Sequence, residues 1–139
     1  MKQYQTTLAV QTGGGRFTDI SPALRRTVSQ SGIQTGLMTL FIRHTSAALT
    51  IQENADPDVL ADLNDFFDRI SPRNAGFYRH SYEGKDDMPA HIRSVLTGVS
   101  LNIPIAGAQP VLGTWQAVYV CEFRDAPHIR NVVCHIIGE

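Results

Sequence analysis

A chain of 139 residues is long enough for one domain with its own hydrophobic core, here taken as 1–139. A net charge of −1, with 42% hydrophobic and 18% charged residues, excludes a nucleic-acid binder that tracks phosphates with a basic surface. No apolar run is long enough to cross a bilayer and Met1–Thr6 has no signal-peptide hydrophobic region, so no membrane contact is expected and the cytoplasm is the expected compartment.

Gln3–Gln11 alternates Tyr4, Thr6, Leu8 and Val10 with polar neighbours, the period of a half-buried strand. Gly13-Gly14-Gly15 is a turn and not a phosphate loop, because no GK[ST] ending follows it. A short strand over Arg16–Ile20 leads to Ser21-Pro22, a capping residue and an N-terminal proline that open a helix running to about Gln30 and ended by Gly32. Leu37–Arg43 is an apolar strand, and His44–Ala48 a loop, with Leu49-Thr50-Ile51 a brief extension of that strand.

Asp56-Pro57 starts a second helix with Val59, Leu60, Leu63, Phe66, Phe67 and Ile70 on its apolar face and Asp58, Asp62 and Asp65 on its solvated one. Arg73–Asp87 is a polar loop. Asp87-Met88-Pro89 opens a third helix with Ile92, Val95, Leu96 and Val99 expected on its buried face. Ser100–Ile105, Val111–Phe123 and Ile129–Ile137 read as strands. Strands at both ends with about three helices inserted between them make an α+β fold with a largely antiparallel sheet. Cys121 and Cys134 sit in apolar alternating segments without CxxC or zinc spacing, and read as buried free thiols.

Alternation also places the chemistry. His44 continues the row Met38, Leu40, Ile42, and Glu122 continues Gln116, Val118, Val120, so an imidazole and a carboxylate end two apolar rows. A carboxylate in such a row needs a partner or a shifted pKa; a plain ion pair with Arg124 or Arg130 is the alternative. His91 falls in the first turn of the third helix, where the positive dipole end favours a neutral ring able to bind a metal or accept a proton. His80 lies eleven positions earlier in the polar loop. His44, His80, His91 and Glu122 are therefore the expected reaction centre, whereas His128 and His135 read as structural. Ser46 is not a nucleophile elbow, since GxSxG is absent. His44, His80 and His91 suit a zinc-like ion, and Glu53, Asp86 and Asp87 suit magnesium; both divalent sets stay open.

The run Arg43–Pro57 (RHTSAALTIQENADP), Tyr78-Arg79-His80 with Glu83-Gly84, Asp86–His91 and Leu112–Gln116 resembles the signature of the YjbQ-like family in four separated motifs, and the resemblance covers nearly the whole chain. It implies an α+β fold with a β-sandwich-like core, a homotrimer, and a site drawing on His44, Asn54, His80, Asp87, His91, Gln116 and Glu122. It also implies secondary thiamine-phosphate synthase activity, joining a pyrimidine diphosphate to a thiazole phosphate and releasing pyrophosphate. Where many relatives read Glu-Phe-Asp-Gly-Pro-Arg, this chain has Glu122-Phe123-Arg124-Asp125-Ala126-Pro127-His128-Ile129-Arg130. The expected substrate contacts are Ser46, Asn54, Asp87, Trp115, Gln116 and Arg130. Two other readings remain: a metal-dependent hydrolase, and a non-catalytic trimeric module that binds an anionic metabolite.

Overall fold

The computed structural model describes residues 1–73 and 75–139. In chain order the elements are β1 (Lys2–Gln11), β2 (Phe17–Asp19), α1 (Ser21–Ser31), β3 (Gly36–Ile42), β4 (Ala47–Glu53), α2 (Pro57–Ile70), α3 (Asp87–Thr97), β5 (Ser100–Ala106), β6 (Gln109–Pro110), β7 (Gln116–Glu122) and β8 (Ile129–Gly138). They form two antiparallel sheets: a five-stranded one in the order β1-β8-β3-β5-β6 and a three-stranded one in the order β2-β7-β4. The α+β class expected from the sequence is the class observed.

Period-2 alternation explains the core. Met38, Leu40 and Ile42 from β3, Ile103 and Ile105 from β5, and Val132, Cys134 and Ile136 from β8 meet Leu49, Val118 and Val120 across the gap between the sheets, with Leu24 and Val28 of α1 closing one end. Each large aliphatic side chain fully buried there contributes roughly 1.5–3 kcal/mol. The opposite face of the small sheet is also covered: Ala48, Cys121 and Phe123 pack with Ala90 of α3, and Phe67 of α2 leans on Phe123 edge-on. A sheet buried on both faces has no polar row, so β7 is buried from Ala117 to Glu122. Both thiols are free and buried, and burial pushes the Cys134 thiol up to about 11.

Several elements differ from the sequence expectation. Ala47–Glu53 is a full strand that leaves the first sheet and pairs with β7 in the second, not a brief extension of β3. Alternation could not reveal this, because Ala47, Ala48 and Leu49 are buried in succession. The long strand expected over Val111–Phe123 is confined to Gln116–Glu122, since 111–115 is a turn around Gly113. Ser21 does not cap α1. Its amide donates to Asp19 Oδ1 at 2.8 Å, and its hydroxyl accepts from the Val118 amide at 2.9 Å, tying the helix to β7. The apolar stripe of α3 faces outward: Val95 is 83% and Leu96 59% exposed, while Asp87, Ala90, Arg93 and Ser94 face inward. Arg93 carries this inversion by donating to Ser71 Oγ at 2.8 Å and Asp68 at 2.9 Å. On α2, no residue is fully buried despite its apolar face.

The glycine turn has a packing reason. Gly15 N donates to Arg124 O at 2.8 Å, and a Cβ on Gly14 would stand 1.7 Å from the Asp125 carbonyl oxygen. Gly14→Ala must therefore push the 124–126 segment away, and a loss of about 1–3 kcal/mol is expected in denaturant unfolding. An unchanged midpoint would show that the segment is not held against this turn.

Candidate metal centre and adjoining pocket

The polar loop before α3 delivers His80, and the first turns of α3 deliver Asp87 and His91 at an i, i+4 spacing that puts both on one helix face. His91 is thus the fifth helical residue, one position past the first turn expected from the sequence, because the helix starts at Asp87. His80 Nε2 lies 2.6 Å and His91 Nε2 3.0 Å from the same oxygen, Asp87 Oδ2. The two rings are tilted by 58° with centroids 5.4 Å apart. All three potential ligand atoms lie within 4.8 Å of one another.

Neighbouring groups fix the orientation of each. Arg124 donates to Asp87 Oδ1 at 2.8 Å, to Asp86 Oδ2 at 3.0 Å and to Glu83 O at 2.7 Å, so one guanidinium clamps the loop and the helix start together. Asp87 is only 1% exposed. Burial alone would raise its carboxyl, but, in the absence of a cation, hydrogen bonding with His80, the charge of a protonated His91 and that of Arg124 outweigh this and hold it below the usual carboxylate range.

His91 Nδ1 lies 2.9 Å from the Thr45 carbonyl, which can only accept, so Nδ1 carries a proton. A neutral His91 then presents a lone pair at Nε2 to an ionised carboxylate. Two lone pairs at 3.0 Å require a proton or a cation between them. A ring nitrogen donating to a backbone carbonyl while the other faces a carboxylate and a second imidazole is the outer arrangement of a metal-bound histidine. Two imidazoles and one carboxylate suit zinc or a related transition ion better than magnesium, which prefers oxygen ligands. The donor set fits a divalent cation with open coordination positions. Beside His80 a cavity of about 160 Å³, lined by Tyr78, Ser81, Gly84, Lys85 and Met88, gives access.

His44 is not part of this cluster, which corrects the His44–His80–His91 ligand set. Its Nε2 accepts the Asn131 amide at 2.8 Å, in line with the ladder between β3 and β8. That lone pair is consumed and cannot bind a metal. Burial first, then the neighbouring Arg130 charge, hold the His44 pKa below its ordinary value, against the opposing pull of Glu122. The alternative carboxylate set is not gathered either. Glu53 accepts the Ala55 amide at 2.6 Å in a turn at the far end of β4, and Asp86 is paired with Arg124.

Glu122 is buried at 1% exposure, and the ion-pair reading describes its surroundings. Oε1 accepts from Thr12 Oγ1 at 2.6 Å and Arg130 Nε at 2.8 Å; Oε2 accepts from Arg130 Nη2 and from the Arg124 amide at 3.2 Å. Burial would raise this carboxyl, yet the Arg130 and Thr12 hydrogen bonds outweigh it and the net shift is downward. With every lone-pair direction used, Glu122 holds Arg130 in place. His128, read as structural, has its Nδ1 2.8 Å from Ala126 O and 3.5 Å from Glu122 Oε1. Arg130 Nη2 also donates to Ser46 Oγ at 3.1 Å. Arg43, His44, Thr45, Ser46, Val99 and Arg130 line a pocket of about 490 Å³. Thr45 separates it from the His91 ring, and the Arg124 amide links Glu122 to the metal cluster, so the two centres are neighbours.

Asn54, Trp115 and Gln116 lie elsewhere. The pairing Ala47↔Glu122 to Glu53↔Gln116 puts them at the opposite end of the β4–β7 ladder, about 20 Å away at 3.3 Å per residue. Asn54 Nδ2 donates to Thr114 O and Gln116 O at 3.3 and 3.4 Å, Gln116 Oε1 accepts from the Gly113 amide, and Trp115 is 64% exposed and not a core residue. Thr12 carries no signal in the sequence, and Arg124, expected only as a possible ion-pair partner of Glu122, gives that carboxylate its amide and clamps Asp86 and Asp87 with its guanidinium.

Two antiparallel sheets carrying a His–Asp–His cluster at the start of a covering helix define an α+β protein with a candidate metal centre. The chain belongs to the UPF0047 protein YjbQ-like family, whose model matches residues 6–139. It is 51% identical over 138 residues to a UPF0047 protein of Synechocystis, covering 99% of this chain and 94% of that one, and 38% identical to YjbQ of Escherichia coli over 98% and 99%. Among solved structures, a YjbQ/UPF0047 family protein of Clostridium acetobutylicum superposes with a TM-score of 0.83 at 37% identity, over 96% of this chain and 99% of that one. A YbjQ-like protein of unknown function from Sulfolobus solfataricus shares the fold at a TM-score of 0.89 and 23% identity, covering 99% of each chain. No helix among the described residues is long and apolar enough to cross a membrane.

Proposed function

We propose that this chain is a divalent-metal-dependent enzyme acting on a phosphorylated small molecule, with a thiamine-phosphate-synthase-like transfer as its specific reaction. The observation that carries the reading is the convergence of His80 Nε2, His91 Nε2 and Asp87 Oδ2, with His91 Nδ1 committed to Thr45. A bound divalent ion would neutralise charge developing on a departing pyrophosphate. The chain's own residues prepare that role. Arg124 keeps Asp87 ionised and fixes its second oxygen, Thr45 sets the tautomer of His91, and the buried Glu122–Arg130 pair shapes the neighbouring wall. A metal-dependent hydrolase is the second reading, favoured by a three-residue ligand set that leaves positions for water. Self-association into a trimer is proposed too. It is supported by the apolar surface left open at Phe66, Val95, Leu96 and Trp115, and would be read from native mass.

The test is turnover of a pyrimidine diphosphate and a thiazole phosphate by chelator-stripped protein, before and after restoring zinc, manganese or magnesium. Joined product and pyrophosphate should fall by at least roughly 100-fold on stripping and return with one of the ions. Release of phosphate or pyrophosphate without joined product would select the hydrolase. Full turnover by metal-free protein would overturn both metal readings.

A further inference from the structure

We propose that the 490 Å³ pocket beside the metal cluster is a phosphoryl-binding subsite in which His44 serves as a fixed N–H donor, neither a base nor a ligand. The inference rests on the reading above for its use in a reaction, whereas the donor inventory of the pocket stands without a metal.

The tautomer of His44 follows from its partner. A backbone amide only donates, so the Asn131 N–H at 2.8 Å consumes the Nε2 lone pair and the neutral ring must carry its proton on Nδ1. That Nδ1–H has no partner among the described residues, in a side chain that lines the pocket. Ser46 Oγ already accepts from Arg130, which leaves its hydroxyl proton to donate outward. Arg130 spends Nε and Nη2 on Glu122 and Ser46, while Nη1 has no hydrogen-bond partner among the described residues. Since no buried side-chain nitrogen among the described residues is left unpaired, Nη1 keeps some solvent exposure, in a side chain that lines the pocket. Arg43 stands on the rim without an ion pair among the described residues.

Among the described residues, carboxylates are missing from the same surface. No Asp or Glu lines the pocket, and both oxygens of Glu122 are used internally. Four donor groups of three residue types, two of them cationic, therefore face one space with no carboxylate to satisfy them. A tetrahedral phosphoryl dianion, with three oxygens to place, matches this set; a carboxylate, with two, leaves donors over. Because Thr45, the residue directly after His44, lines the pocket and orients His91 through its carbonyl, a phosphoryl group here lies next to the proposed cation.

The experiment uses inorganic phosphate as the probe on full-length protein kept in chelator, so that a cation cannot supply the binding. Calorimetric titration should show saturable binding that weakens roughly tenfold or more in His44→Ala and in Ser46→Ala. Imidazole ¹⁵N spectra of the unsubstituted protein should show His44 protonated at Nδ1, with that resonance shifting as phosphate is added; this readout does not depend on any variant folding. Absence of saturable binding, equal affinity in both variants, or a His44 ring unprotonated at Nδ1 would each overturn the subsite. Binding that persists in a protein whose turnover proves metal-independent would leave the subsite standing and the metal reading lost.

Discussion

Asp87→Asn is expected to strip the metal centre and abolish turnover while the fold survives. The asparagine keeps the volume and one carbonyl oxygen, but it removes the charge that lies 2.6 and 3.0 Å from two imidazole nitrogens. It also turns an NH₂ group either toward Arg124, a donor facing a donor, or toward the imidazole lone pairs, where it takes the place of a ligand oxygen. Loss of one of three protein ligands should weaken metal affinity by at least roughly 100-fold, since losing an outer hydrogen bond to a ligand already costs 10–100-fold. Elemental analysis of the variant should fall from about one ion per chain to near none. Asp62→Asn, on the solvated face of α2, serves as the control. If Asp87→Asn retained both its ion and its turnover, the cluster would be an ion-pair network holding a loop.

The second large effect is on stability. Glu122→Gln should destabilise the protein by about 3–5 kcal/mol, because it leaves the Arg130 guanidinium, 5% exposed, without its counter-charge. For a chain of this length that corresponds to a drop of roughly 10–20 °C in Tm. Replacing the pair together, Glu122→Gln with Arg130→Met, should recover much of the loss, since a buried ion pair is worth little against apolar packing. The pH dependence carries the same signature. Asp86, Asp87 and Glu122 all have folded pKa values below their ordinary ones, held there by Arg124, His80 and Arg130. Their contribution is fully present above the unfolded carboxylate pKa of about 4 and is lost as pH falls through the folded values. Metal-free protein should therefore keep its stability down to about pH 5 and lose it progressively below, more shallowly in Glu122→Gln. A single variant within 1 kcal/mol of the parent would mean that the pair is not desolvated as described.

Much of this was legible in the amino-acid sequence, for identifiable reasons. Clean alternation in β3 and β8 revealed their faces, and it correctly placed Glu122 on the row shared with Val118 and Val120. Asp56 capped α2 as its chemistry demanded, accepting from the Asp58 amide. Alternation failed where a strand is covered on both sides, at Ala47–Leu49. Helical periodicity failed on α3, where buried Arg93 outcompeted Val95 and Leu96 for the inner face because Ser71 and Asp68 satisfy it. Such long-range pairing has no local signal.

At the site, composition found the histidines but could not say which converge. Asp87 and His91 carried a readable cue, the i, i+4 spacing on one helix face, that points to Asp87 as the third ligand. His44 was misplaced because its competitor for the lone pair, the Asn131 amide, lies 87 residues away. Arg124 and Thr12 act through contacts 37 to 110 residues distant, which no motif encodes.

Elemental analysis of untagged protein purified without chelator addresses the cation centre most directly. About one divalent transition ion per chain is expected, falling to a trace in His80→Ala/His91→Ala with the fold retained. A fully active preparation carrying less than about a tenth of an ion per chain would contradict the account.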